Sequence, residues 1–255
     1  MKWRFHLIVC LLTMLCSLPE TANAADFPVP PVKTSLRIED EPVTVVVSGF
    51  ISMTPTAQGQ SIAVKADADL SDLQEKILPI LRAQLNQDNR CGDRLHVDRA
   101  TLAPEAPAGL LTAEVHYEKW GCAKAFGKEI VKKLVGGNAV VRVRLTPVVD
   151  TPGAVHLRAE VLAIDADGQL GELLRSGSFG AALQEKLRKS LARDLEKSSE
   201  FQAALPASVQ NMAAIRAAEF SNSGEGRLRL TISGEVQVSA EQAAKITEQL
   251  KALAR

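Results

Sequence analysis

The chain has 255 residues, 46% of them hydrophobic and only 4% aromatic, with 30 basic and 30 acidic side chains. The even charge excludes the strongly basic footprint of a nucleic-acid binder, and the length allows one large domain or two small ones. With so few aromatics, a core must be assembled mainly from Val, Leu, Ile and Ala.

Residues 1–24 read as a cleavable signal peptide. Lys2 and Arg4 precede an apolar run over residues 7–15 that only Thr13 interrupts, and Ser17, Pro19 and Glu20 end it before Ala22-Asn23-Ala24, a small-residue cleavage site. The run is shorter than the roughly 20 residues a membrane helix needs. Cys16 raises a lipid anchor, but such signals want a small residue before the cysteine and here Leu15 stands there. Cleavage after Ala24 therefore predicts a periplasmic or secreted protein with no transmembrane anchor. Its charge balance stays within one unit of zero, since Lys2, Arg4 and Glu20 leave together. Two cysteines remain, Cys91 and Cys122. In an oxidising compartment an even pair predicts a disulfide, which should stabilise the fold by about 3–4 kcal/mol. Neither cysteine belongs to a CxxC or CxxH pair, which speaks against a metal.

Residues 25–36 form a proline-rich extended lead; fixed φ angles make FPVPPVK a stiff linker or an edge segment. Residues 43–53 are largely β-branched and predict a strand with a bulge or bend at Gly49; residues 61–66 are its partner across a turn at 55–60. The period then changes. Leu70, Leu73, Ile77, Ile80, Leu81 and Leu85 predict one apolar face of a helix over 69–87, capped by Asp69 or Ser71 and kinked at Pro79. Alternation returns over 94–102 and 110–120, a hairpin with its loop at 104–109 and the two cysteines at its open end. A short helix over 124–135 ended by Gly136-Gly137 is expected next, then a half-buried strand pair over 140–149 and 155–165. A long helix is expected over 178–201, with Phe179, Leu183, Leu187, Leu191 and Leu195 every four residues, and another helix over 208–218. The chain closes with a strand over 227–238 and a helix over 239–254, announced by a capping box of Ser239 and Gln242 and a staple of Val238 on Ala243. The order predicts an α+β fold in which a curved antiparallel sheet packs on long amphipathic helices. Residues 37–255 would form a single domain, and the recurring strand-strand-helix order divides it into two related halves, about 37–136 and 137–255.

No GxSxG, HExxH or phosphate-binding glycine loop occurs, so a non-enzymatic protein without a cofactor is expected. If the hairpin centres near Ala106, His96 and His116 lie opposite each other on the polar face, with Asp98 and Glu114 beside them. Such a set has the donors for Zn²⁺; the plainer account is two exposed surface histidines, which a one-residue slip would separate. Asp165-Ala166-Asp167-Gly168 starts like a calcium loop but lacks its remaining ligands, and a strand-ending turn with Gly168 at positive φ explains it better. Arg142, Arg144 and Arg158, near His156 and Glu160, have the charge to meet an anionic headgroup, against the commoner role of cross-strand charge pairs. The helix stripes are either plain core or one wall of an elongated apolar groove, whose lining would include Leu73, Ile77, Ile80, Leu81, Leu183, Leu187 and Leu191.

Three segments carry a resemblance. Ser61-Ile62-Ala63-Val64 running into Asp69-Leu70-Ser71-Asp72-Leu73, Leu145-Thr146-Pro147-Val148-Val149, and Leu228–Val238 leading into Ser239-Ala240-Glu241-Gln242 resemble the tubular lipid-binding (TULIP-like) superfamily in style. The resemblance implies a twisted sheet wrapped around a long helix, lipid in an apolar tunnel, and no catalytic residues. The leading expectation is thus an exported protein that binds a lipid or other hydrophobic small molecule. The alternatives are an envelope accessory protein with a solid core and a protein partner, and a metal-binding protein using His96 and His116.

Overall fold

The computed structural model describes residues 25–38, 40–56, 59–125, 128–150, 154–177 and 213–239, with Ala181, Glu185, Arg188, Lys189, Glu241, Gln242 and Ala244. Among the described residues, ten strands and two short helices follow in the order β1 (Ala25–Ile38), β2 (Glu41–Thr56), β3 (Gly59–Asp69), α1 (Ser71–Leu85), β4 (Gln87–Asp88), β5 (Gly92–Glu105), β6 (Ala108–Ala125), β7 (Lys128–Asp150), β8 (Ala154–Ala166), α2 (Gly168–Arg175), β9 (Ala213–Asn222) and β10 (Leu228–Val238). They form two five-stranded antiparallel sheets. The first runs β1-β2-β3-β10-β9 and the second β4-β5-β6-β7-β8.

This overturns the α+β expectation of long amphipathic helices carrying a sheet: the described chain is mostly antiparallel sheet, and its two helices have 15 and 8 residues. Two segments account for much of the difference. Residues 124–125 and 128–135 are strand, because Gly121, Cys122, Ala123 and Lys124 pair with Lys132, Val131, Ile130 and Glu129. Gly136 and Gly137 then lie within β7 instead of ending a helix. A Cβ on Gly137 would sit 2.7 Å from the Asp167 carbonyl oxygen and 2.9 Å from Leu170 Cβ, so its bare backbone is what lets α2 dock on the strand. The helix expected over 208–218 is contradicted from Ala213 onward, where the chain pairs with β10 as β9. Short alanine-rich runs carry little period of their own, and sheet pairing decides their state. The helix expected over 178–201 lies outside the described residues except at four positions, as does most of 239–254. The capping box that opens the latter is present: the Ser239 backbone N–H donates to Gln242 Oε1 (3.0 Å), and the Gln242 N–H to Ser239 Oγ (3.3 Å).

Other segments form as expected. The proline-rich lead is part of the edge strand β1, where missing donors cost least, and its pairing with β2 slips between Val29 and Val32 around Pro30-Pro31. Helix α1 contains Pro79. Asp165 to Gly168 is a strand-ending turn with Gly168 at φ 55°.

Helix α1 packs against β2 of one sheet and β5 of the other. Ile77, Ile80 and Leu81 enter one core with Val43 and Val45 of β2, Val97 and Leu102 of β5, Val141 and Val143 of β7, Phe220 of β9 and the fully buried Leu228 of β10. The polar residue on this helix face is Gln74, and it joins the sheets. Its Nε2 donates to the Leu102 carbonyl (2.8 Å) and the Gly226 carbonyl (3.0 Å), while its Oε1 accepts the Leu228 N–H (2.7 Å). At the other end of α1, Arg82 donates to the Val97 and Asp98 carbonyls, and Asn86 Oδ1 accepts the Val97 N–H. These contacts satisfy β5 where a bulge at Asp98 interrupts its ladder. A half-buried backbone group left without a partner costs about 1–3 kcal/mol, so Gln74→Ala should lower unfolding stability by about 2–4 kcal/mol in urea titrations. Glu75→Ala, on the exposed side of the same helix, should change it by no more than about 0.5 kcal/mol.

Candidate functional site

Alternation along β2 sends Val43, Val45, Val47, Gly49, Ile51 and Met53 to one face, and the strand register extends that face across the whole first sheet. Val47 stands in a row with Val32, Ala68, Leu230 and Phe220. Gly49 stands with Val29, Ala66, Ile232 and Ala218, and Ile51 with Phe27, Val64, Gly234 and Ile215. Met53, Ile62 and Val236 form the next row. No position in these rows carries a polar side chain. Six residues of strand rise and four strand spacings give an apolar area of about 20 by 19 Å. Val47, Ala68, Leu230 and Phe220 belong to or pack on the main core, whereas Met53, Ile62 and Val238 form a separate buried cluster with Phe27, Ile51, Val64 and Val236. Between them lies the row of Val29, Gly49, Ala66, Ile232 and Ala218, small at three of its five positions, two of them adjacent on β2 and β3. Gly49 is required there, because a Cβ would fall 2.2 Å from the Lys65 carbonyl oxygen.

The groove lining expected from the helices is placed differently. Ile77, Ile80 and Leu81 are buried in the main core and Leu73 packs on it half-buried; they are used in joining the two sheets. Leu183, Leu187 and Leu191 lie outside the described residues. The extended apolar wall is on the first sheet, half of it supplied by β1, β9 and β10. Its signal is the alternation of Phe27 with Val29, hidden by prolines, and of Ala218 with Phe220, hidden by helix-forming alanines; Ile215 joins the face through a register shift in β9.

The second sheet carries a polar cluster on its other face. His96 and His116 pair directly across β5 and β6, as their spacing predicts. Beyond them the bulge at Asp98 shifts the register, so Glu114 faces Arg99, 3.8 Å away, instead of grouping with Asp98 around the histidines. Asp98 and Glu114 line a shallow depression of about 510 Å³ with Asp165 and Asp167. Among the described residues, no three His, Cys, Asp or Glu side chains converge as a metal site. His116 is engaged otherwise: Nδ1 lies 2.7 Å from Asn138 Oδ1 and Nε2 3.4 Å from Glu118 Oε1. Glu118 also accepts from the Trp120 indole (2.8 Å) and from Lys133, and Arg94 stacks 4.4 Å over the Trp120 ring. On the inward side Asp93 accepts from the Tyr117 hydroxyl (2.6 Å) and Lys119 (2.7 Å), and burial followed by that carboxylate pushes the tyrosine upward. Arg142 pairs with Asp165 and Arg144 with Glu105 and Glu160, so these arginines form cross-strand charge pairs. Cys91 and Cys122 are disulfide-bonded with their Cα atoms 5.7 Å apart, next to Trp120.

No family model, curated protein or solved structure matches this chain.

Lys133, followed by the Trp120 N–H, holds the Glu118 carboxyl down at about 2, and the bond to Asn138, with help from Glu118, raises His116 above its ordinary 6.5. A lowered carboxylate stabilises the fold above its unfolded value and loses that contribution as pH falls through the folded one; a raised imidazole contributes below its unfolded value and loses it as pH rises. Stability should therefore fall from about pH 4.5 toward 2 through Glu118 and decline above about 6.5 through His116. In Glu118→Gln the acid-side loss should shrink, and the His116 ring should titrate at lower pH by NMR; an unmoved His116 midpoint would contradict the coupling.

Proposed function

We propose that this chain is an exported, non-enzymatic protein that holds a lipid or other apolar molecule along the inner face of its first sheet. The observation that carries this reading is the run of rows without a polar side chain, joining two apolar clusters across a row that is small at Gly49, Ala66 and Ala218. A well-packed sheet face meets its cover with large side chains; a band of small ones gives an apolar chain somewhere to lie. About 20 Å of face length accommodates an acyl chain that in a bilayer spans one half of a core about 30 Å thick. This is the ligand class implied by the likeness to the tubular lipid-binding superfamily. A disulfide, and the lack of a helix long and apolar enough to cross a membrane among the described residues, are compatible with an extracellular or periplasmic location.

A second reading, an accessory protein that binds another protein, draws support from Ile77, Ile80 and Leu81, which fill the space between the sheets. The two readings separate in one experiment. On the first, solvent extraction of the purified protein should yield a lipid, and an apolar fluorophore should bind the delipidated form. Ala66→Leu, which fills the small-residue band without adding charge, should weaken that binding about tenfold, or about 1.4 kcal/mol, without lowering the thermal midpoint. Lys65→Gln, on the opposite face, should leave it unchanged. A folded protein that yields no lipid and binds no fluorophore would remove the first reading.

A further inference from the structure

The hairpin of β6 and β7 outruns its sheet. Strand β5 ends its pairing with β6 at Gly92 opposite Trp120, and β8 ends its pairing with β7 at Ala166 opposite Ala139. Past Trp120 the two strands pair only with each other, from Gly121 with Lys132 to Ala125 with Lys128. The result is a two-stranded arm about 20 Å long. Such a ribbon is marginal on its own in water, and this one is fastened at its base by the Cys91–Cys122 disulfide and by Trp120, which is held between Arg94 and Glu118.

The side chains on the arm differ from the rest of the surface. Residues 121–134 hold four lysines, Lys124, Lys128, Lys132 and Lys133, against one acid, Glu129, in a chain whose basic and acidic residues are equal in number; Lys133 is paired with Glu118. Leu134 is 60% exposed and Ile130 53% exposed, the first and fourth most exposed large apolar side chains among the described residues. Pairing places Ile130 and Lys132 on the same face as Gly121 and Ala123, and Leu134, looped out by a bulge, lies over Gly121. That face is thus aliphatic and cationic together, with small residues between.

We propose that this arm docks the protein on an anionic phospholipid membrane surface. Charge complementarity chooses anionic matter, and the exposed aliphatics choose among its forms. A phosphate backbone or an acidic groove offers nothing to Ile130 and Leu134, whereas a bilayer interface takes aliphatic tips into its acyl boundary and lysines at the headgroup phosphates in one orientation. The docking site is separate from the apolar face of the first sheet and does not depend on it.

Flotation with vesicles tests the proposal, using protein purified after export from an expression host so that the disulfide is formed. Wild type should float with phosphatidylglycerol–phosphatidylcholine vesicles, stay behind with pure phosphatidylcholine, and be released by added salt. Lys132→Glu should weaken binding by about tenfold, as should Ile130→Ser with Leu134→Ser, while Lys65→Glu on the first sheet should bind as wild type. Each variant should retain its disulfide by mass and its fluorophore binding, which separates this proposal from that of the apolar face. No flotation, equal flotation with neutral vesicles, or a Lys132→Glu variant that binds as wild type would overturn it; so would a soluble acidic protein captured by the arm in their place.

Discussion

The two sheets are joined through polar contacts made by one short helix. Gln74 holds backbone groups of β5, of the turn before β10 and of β10 itself within 3.0 Å. Asp72 accepts the Thr44 N–H of β2, and Lys76 donates to the Pro42 carbonyl. The Leu70 N–H is satisfied by the Leu228 carbonyl. Apolar burial supplies the larger share of the free energy but is indifferent to register. The hydrogen bonds at this seam fix where the helix sits between the sheets, because any shift would strand half-buried donors and acceptors.

From that arrangement follow two sheet faces of opposite character. The first sheet carries rows without a polar side chain well past the reach of α1, with small side chains at Gly49, Ala66 and Ala218 in their middle. The second sheet gathers charge on its outer side, where Glu118 is only 18% exposed and links an imidazole, an indole and an ammonium. This cluster fixes the base of the projecting β6–β7 arm. A protein that carries an apolar molecule and meets a membrane needs both properties, one protected and the other presented.

Much of the second sheet could be read from residue order. Alternation from Leu111 to Tyr117 and from Val141 to Leu145 marked the strands, and the hairpin brought the two cysteines together. The two histidines face each other because the Asp98 bulge moves the register by one from the turn side, where Ala103 faces Leu110. The histidines did not acquire Asp98 and Glu114 as companions, because one bulged residue rotated the chain beyond them. A bulge has no reliable signature in a single sequence; it arises where twist and neighbouring elements demand it. Gln74 could have been noticed as a lone amide on an otherwise apolar helix stripe, although not the three backbone groups it meets.

Local pattern alone determined the strands of high β-branched content, the helix around Ile77 with its internal proline, the turn at Gly168 and the pairing of Cys91 with Cys122, since each depends on neighbours close in the chain or on a simple hairpin count. Tertiary structure decided the rest. It made residues 124–125, 128–135 and 213–222 strands, assigned the helix leucines to the seam, and assembled the apolar face from five strands drawn from both ends of the sequence. The physical reason is that alanine, glycine and mixed short runs have nearly equal free energies as helix or strand, so partners elsewhere in the fold tip the balance.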